Sequence, residues 1–108
     1  MTTATSSLYF MLAAPCEMGF YCKIGISDNP KKRIKEIQVG CPHKIDHIAM
    51  IELKHRTHAR LAETMFHKSF AHYRTIGEWF LFDSHKDWIE VAEPFAKLID
   101  RELDVIEL

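Results

Sequence analysis

The feature that most constrains this chain is a pair of β-type runs near its start. Leu8-Tyr9-Phe10-Met11-Leu12 and Phe20-Tyr21-Cys22-Lys23-Ile24-Gly25-Ile26 are separated by a connection bearing Pro15 and Gly19, the pattern of a hairpin with a longer loop. The two runs are expected to pair antiparallel and to found a sheet. Residues 1–7 show no apolar periodicity and read as a disordered terminus. With 108 residues there is chain for one domain and one site.

The following elements are read from their capping and periodicity. Asn29 can cap a helix that has Pro30 at its first position and closes at Gly40, with Ile34 and Ile37 as its buried side. Lys44 to Leu53 suits a third strand. From Thr57 a helix presents Ala59, Ala62, Phe66, Phe70 and Tyr73 to the core and ends before Gly77. Glu78 to Phe82 reads as a short strand. Ser84-His85-Lys86-Asp87 matches the capping box of a last helix, which covers the sheet with Trp88, Ala92, Phe95, Ile99 and Leu103 and which Pro94 should kink or split in two. Trp79 and Trp88 are most simply core.

Composition narrows the class. A hydrophobic fraction of 47% and a charged fraction of 27% exclude a disordered tail, a coiled coil and a collagenous chain. The longest apolar run, Leu8 to Pro15, falls short of the ~20 residues of a membrane span, and no basic segment precedes it as in a secretory signal. A cytoplasmic protein with no membrane partner is expected. Cys16, Cys22 and Cys41 form no C-x-x-C pair, so reduced thiols are the expectation rather than disulfides or a cysteine zinc site. Cys22 is either a buried inert thiol or, beside Lys23, a reactive one.

The net charge of −1 hides a polarity, because residues 1–82 carry +4 and residues 83–108 carry −5. Lys31, Lys32, Arg33 and Lys35 form one basic knot, and Lys54, Arg56, Arg60, Lys68 and Arg74 form another with histidines interleaved. Such knots are either a phosphate-facing surface or solvated helix faces. At about 100° per residue, Glu63, His67 and Arg74 fall within about 60° of Arg60, beside the apolar stripe. A carboxylate on that border is positioned to hold Mg²⁺ together with waters and phosphate oxygens, or to pair with Arg60 or His67 along its own helix. His55-x-x-His58 with His67 and His72 can be read as zinc ligands or as solvated, phosphate-contacting histidines. Glu78, after a glycine, is either a second acidic group of the site or merely a strand start.

Lys23-Ile24-Gly25-Ile26-Ser27 followed by Arg33, ten positions after Lys23, resembles the second half of the signature of the GIY-YIG nuclease superfamily. Ser7-Leu8-Tyr9 stands in the place of its opening triplet. The helix Ala59-x-x-x-Glu63-x-x-x-His67-x-x-Phe70, closed by Gly77-Glu78-Trp79-Phe80, is similar to the small stand-alone branch of phages, bacteria and some fungi. The resemblance covers residues 8–82, with an acidic helical extension over 83–108 on the same core. It implies an α+β fold in which a three-stranded antiparallel sheet is flanked by helices.

It also implies a hydrolase, a divalent-metal-dependent endonuclease with Mg²⁺ or Mn²⁺ as cofactor and DNA as the expected partner. Tyr9 would orient or activate the attacking water, Arg33 would bind the scissile phosphate and Glu63 would hold the metal. Lys23 replaces the second family tyrosine, Tyr21 lies two positions earlier on the same strand face, and His67 supports the site. Lys23, Lys31, Lys32, Arg33, Arg60 and Arg74 would bind nucleic acid. The distal family asparagine has no match. The alternative is a catalytically weak or inactive nucleic-acid-binding or protein-interaction module on the same fold. Cleavage of both strands would need a homodimer or two visits.

Overall fold

The computed structural model of the chain describes residues 5–13 and 19–108. The first four residues, and the connection over 14–18 with Cys16, lie outside the described residues. β1 (Ser6–Ala13) and β2 (Phe20–Ser27) pair antiparallel, with Tyr9 opposite Gly25 and Met11 opposite Lys23. β1 starts inside the stretch read as a disordered terminus. Ser6 is buried, pairs with Leu53 and donates its hydroxyl proton to Asp28. After β2 come α1 (Pro30–Val39) and β3 (Ile45–Leu53), which pairs antiparallel with the other edge of β1. The Asn29 side chain accepts from the Lys32 amide and Pro30 opens the helix, as the capping pattern predicts.

The expectation of a three-stranded sheet is overturned, because six strands form one antiparallel sheet. α2 (Arg56–Ser69) leads through a short 3-10 turn into β4 (Arg74–Ile76) and β5 (Trp79–Phe82). These two form a hairpin whose turn places Gly77 at φ 55°, where glycine meets little strain. β5 then pairs with the outer edge of β2, Phe80 opposite Cys22. α3 (Lys86–Leu98) is followed by β6 (Asp104–Glu107), which pairs with the outer edge of β3. The strand order is β4-β5-β2-β1-β3-β6.

The last helix stops short of Ile99 and Leu103 for a local reason. The Arg101 amide donates to the Ala96 carbonyl and the Asp100 amide to that of Lys97, with Asp100 at φ 58°. This is a Schellman termination with aspartate in the left-handed position. Ile99 and Leu103 still pack on the core, so the apolar periodicity outruns the helix. At the other end, the Asp87 carboxylate accepts from the Ser84 amide as in the capping box, but the Ser84 hydroxyl accepts from the Lys86 amide rather than that of Asp87, and the N-cap position falls on His85, which makes no side-chain cap bond. α3 runs on through Pro94 as one helix rather than two.

The core lies on both faces of β1. On one face, α2 and α3 bury Phe66, Ala92 and Trp88 against Phe10, Ile24 and Phe80. The Phe10 ring stacks on Trp88 at 5.1 Å and meets the edge of Phe66 at 5.3 Å. On the other face, Ile34 and Ile37 of α1 rest on Tyr9, Met11, Ile45 and Ile48. Trp88 is core as expected, whereas Trp79 is only partly buried. No helix among the described residues is long and apolar enough to cross a membrane.

Gly25 is fixed by its neighbour across the hairpin. A Cβ there would overlap the hydroxyl and the adjoining ring carbon of Tyr9, which lies over the glycine. Gly25→Ala is therefore expected to lower stability by about 1–3 kcal/mol in urea unfolding, the usual range for overpacking. Gly40→Ala, at a position with open space around it, is the comparison and should cost much less.

Candidate functional site

β5 is shorter than β2, and this mismatch makes room for a site. Pairing between them ends at Lys23 opposite Trp79, so β2 runs on from Ile24 to Ser27 with no strand on that edge. The Ile24 amide donates to the Glu78 carbonyl at 3.1 Å, and the Ile24 carbonyl accepts from His67 Nε2 at 2.9 Å. The open edge is thus closed by one acidic turn residue and one helix side chain. Beside it lies a concave site of about 270 Å³ lined by Tyr9, Ile26, Arg33, Arg56, Arg60, Glu63 and Glu78.

Each side chain arrives from a different element. Tyr9 comes from the central strand, its ring buried and accommodated by Gly25. Arg33 sits early in α1, exposed, with only a long 3.9 Å contact to Glu36. Glu63 comes from α2, at the border between its apolar stripe and its polar face, and Arg60 and Arg56 follow the same helix face. Arg56 also holds Asp28 at 3.3 Å. Glu78 ends the β4–β5 turn and accepts from Lys23 Nζ at 3.3 Å, while that ammonium lies 5.8 Å from the Trp79 ring centroid.

The charges oppose one another. Burial, then a hydrogen bond and repulsion from Glu78, push the Glu63 carboxyl from an ordinary 4.5 up to about 7, against the pull of Arg60 and Lys23. A like charge this near disfavours the ionised form of Glu63, which an added cation would restore. Burial also raises the Tyr9 phenol, helped by Glu78 and Glu63, while Arg33 draws it down. Near neutral pH Tyr9 is therefore a neutral phenol, and the cation that acts on it is Arg33 rather than Lys23.

A divalent ion suits this donor set. Donor atoms of Glu63, His67 and Glu78 all lie within 4.8 Å of one another, the one such cluster among the described residues. Because His67 Nε2 donates to the Ile24 carbonyl, the Nδ1 lone pair is left free. A backbone acceptor that fixes the tautomer in this way is the usual support of a metal-ligating histidine. Glu63 hydrogen-bonds Glu78 while Arg60 and His67, on its own helix, stay beside it.

Of the residues singled out from sequence, Tyr9, Arg33, Arg60 and Glu63 line the cavity, Lys23 reaches it through Glu78, and a ring nitrogen of His67 lies within 4.8 Å of the Glu63 and Glu78 carboxylates. Tyr21 does not join them, since its ring stacks on His43 at 5.2 Å in a neighbouring concavity. Arg74 donates from Nε to the Gly77 carbonyl at 2.7 Å and braces the hairpin turn. Lys31 and Lys32 are exposed on α1 and line none of these cavities. His55 and His58 meet edge to face at 5.1 Å, outside the donor cluster. Cys22 is buried with its thiol pushed well above its ordinary range, which makes it inert. Glu78, left open by the sequence, belongs to the site. Arg56, singled out from sequence only as a member of the second basic knot, lines the cavity, and its position four residues before Arg60 puts both on one helix face.

The proton shared by the two glutamates has a sign that can be checked. The folded protein keeps it up to about pH 7, whereas the unfolded chain releases it near 4.5. Unfolding free energy should then fall as pH rises between those values, through this group. Glu78→Gln removes the repulsion and should return Glu63 toward its ordinary range, flattening that fall. Carboxyl ¹³C titration of Glu63 and urea unfolding at several pH values check both expectations.

The chain has no significant match among curated proteins or among solved structures. Residues 5–104, which carry every side chain of the cavity and all the helices around it, match the T5orf172 domain, and the chain belongs to the T5orf172 domain family.

Proposed function

We propose that the protein is a metal-dependent endonuclease of GIY-YIG type that hydrolyses phosphodiester bonds in DNA. The observation that carries this reading is convergence. Tyr9, Arg33 and Glu63 lie on a strand, a first helix and a second helix, far apart in the chain, yet all three line one small polar cavity. Nothing in helix or strand periodicity requires that meeting.

Each group has a task that its surroundings allow. Arg33 and Arg60 offer guanidinium forks to the non-bridging oxygens of the scissile phosphate, where negative charge grows as water attacks phosphorus and the bond to the leaving sugar oxygen breaks. The neutral Tyr9 phenol orients that water by hydrogen bonding rather than by taking its proton, which passes through solvent to the departing sugar oxygen. Glu63, Glu78 and His67 hold the cation, and an O,O,N donor set suits Mn²⁺ at least as well as Mg²⁺, which prefers oxygen and keeps several waters. A divalent ion bound there neutralises charge on the phosphate and supports the leaving oxygen. Lys23 partly offsets the glutamates through Glu78.

The purified chain should nick DNA in Mg²⁺ or Mn²⁺ and not in chelator. Arg33→Ala should reduce the rate by about 10²–10³, as when a single transition-state donor is removed, and Arg33→Lys should recover little of it. Glu63→Ala should abolish the metal dependence together with the cleavage. Gel assays on labelled single-stranded, duplex and supercoiled DNA measure this. A wild type that binds DNA and leaves every substrate intact would make the domain a binding module instead.

A further inference from the structure

The phosphate cavity opens into a groove that its chemistry does not use. Arg33 also lines a second concavity of about 340 Å³ with Lys23, Cys41, Pro42 and Trp79. Cys41, Pro42 and Trp79 in turn line a third, of about 270 Å³, with Tyr21, His43 and Ile76. The three form a single path along the sheet face that carries α1. Ile34 and Ile37 bring α1 down on Tyr9 and Met11, and Tyr21, Trp79 and Leu81 lie beyond it, each partly exposed. Walls are supplied by the Cys41–His43 loop on one side and by the β4–β5 hairpin, with Ile76 at 76% exposure, on the other.

The character of the path changes along its length. At the Arg33 end it carries a guanidinium, which Glu36 meets only at a long 3.9 Å and leaves able to take a phosphate. Farther on, the one ammonium, Lys23, is only 12% exposed and is engaged by Glu78 and the Trp79 ring, so what remains toward Tyr21 is aromatic and apolar. A groove that is cationic at one end and aromatic at the other matches a nucleotide, phosphate first and base beyond. Bases inside a duplex are stacked on their neighbours and present no free face. Only an unpaired base can lie on a protein aromatic ring, and such stacking is largely indifferent to sequence.

We propose that this groove is a nucleobase subsite in which an unpaired base next to the scissile phosphate stacks on Trp79, beside the stacked Tyr21–His43 pair, so that the substrate is single-stranded or locally unpaired DNA rather than continuous duplex. The proposal rests on the reading of the adjacent cavity as a phosphodiester site. It does not depend on whether that site still cleaves.

The test is binding by the full chain in chelator, so that catalysis is silent. Trp79 is partly exposed and Trp88 is buried, so quenching of tryptophan fluorescence reports on Trp79. A short oligothymidylate is expected to quench it and to bind roughly 10-fold tighter than blunt duplex of equal length. Trp79→Ala should weaken single-strand binding about 5- to 100-fold, the range for one stacked base, and leave duplex binding unchanged. Tyr21→Ala should act in the same direction, while Trp79→Phe, which keeps a ring and the packing of β5, should retain most of the affinity. Equal affinity for both strand forms without quenching overturns the proposal, as does a folded Trp79→Ala protein that loses both forms equally or neither. Burial of Trp79 that depends on protein concentration alone, and that disappears in the variant, overturns it too, by making the groove a contact between copies. If single strands bind as expected and metal-dependent cleavage never appears, the catalytic reading fails and the base subsite stands.

Discussion

Everything in this fold depends on β1 being buried on both faces. From Leu8 to Ala13 every residue is inside, and each large side chain buried there contributes about 1.5–3 kcal/mol relative to exposure. A strand of that kind cannot lie at a sheet edge, and it needs helices above and below. α2 and α3 meet the need on the Phe10 side and α1 on the Tyr9 side. Within this apolar stretch Tyr9 is the one residue with a polar tip. Its hydroxyl has to reach the margin of α1 to find partners, and Gly25 across the hairpin clears its way. The glycine that shapes the sheet and the phenol that faces the cavity are therefore one structural decision.

The cavity gathers charges that a surface optimised for stability would keep apart. Burial and the neighbouring Glu78 oppose ionisation of Glu63, and Arg60 and Lys23 relieve the conflict only in part. A carboxylate pushed this far by burial and a like-charged neighbour inside a cleft is what marks the cavity as the candidate site. The geometry around it is rigid. His67 is held by the Ile24 carbonyl and by the edge of the Phe80 ring, 5.1 Å away, so the donor set is fixed from behind rather than assembled on demand.

Legibility in the sequence followed the range of the interaction. Local chemistry was readable, which is why Asn29 and Pro30, and Ser84 and Asp87, mark their helix starts correctly. Tyr9, Arg33 and Glu63 could be picked out because a motif orders them, and Glu63 also because its helix places it on a border. Long-range pairing was not readable. Three residues from Arg74 and four from Asp104 are too short for any period to declare a strand, and they exist as strands because the edges of β5 and β3 offer hydrogen bonds. The role of Glu78 turns on where β5 ends against β2, a register no local pattern encodes. Trp79 looked like core because its composition is that of core. It is partly exposed because α1 lies over β1, β2 and β3, and Trp79 stands on β5 beyond them.

The sheet order also converts the charge polarity of the sequence into a spatial one. β6, with Asp104 and Glu107, lies at one edge, and the β4–β5 hairpin, with Arg74 and the mouth of the groove, at the other. Arg33, Arg56 and Arg60 gather at the cavity between the helices. An anionic chain approaching this molecule is repelled from the β6 edge and drawn toward the cavity, over a range set by a Debye length of about 8 Å at physiological salt. A net charge close to zero is thus compatible with a nucleic-acid partner, because what guides association is the separation of charge across the sheet and not its sum.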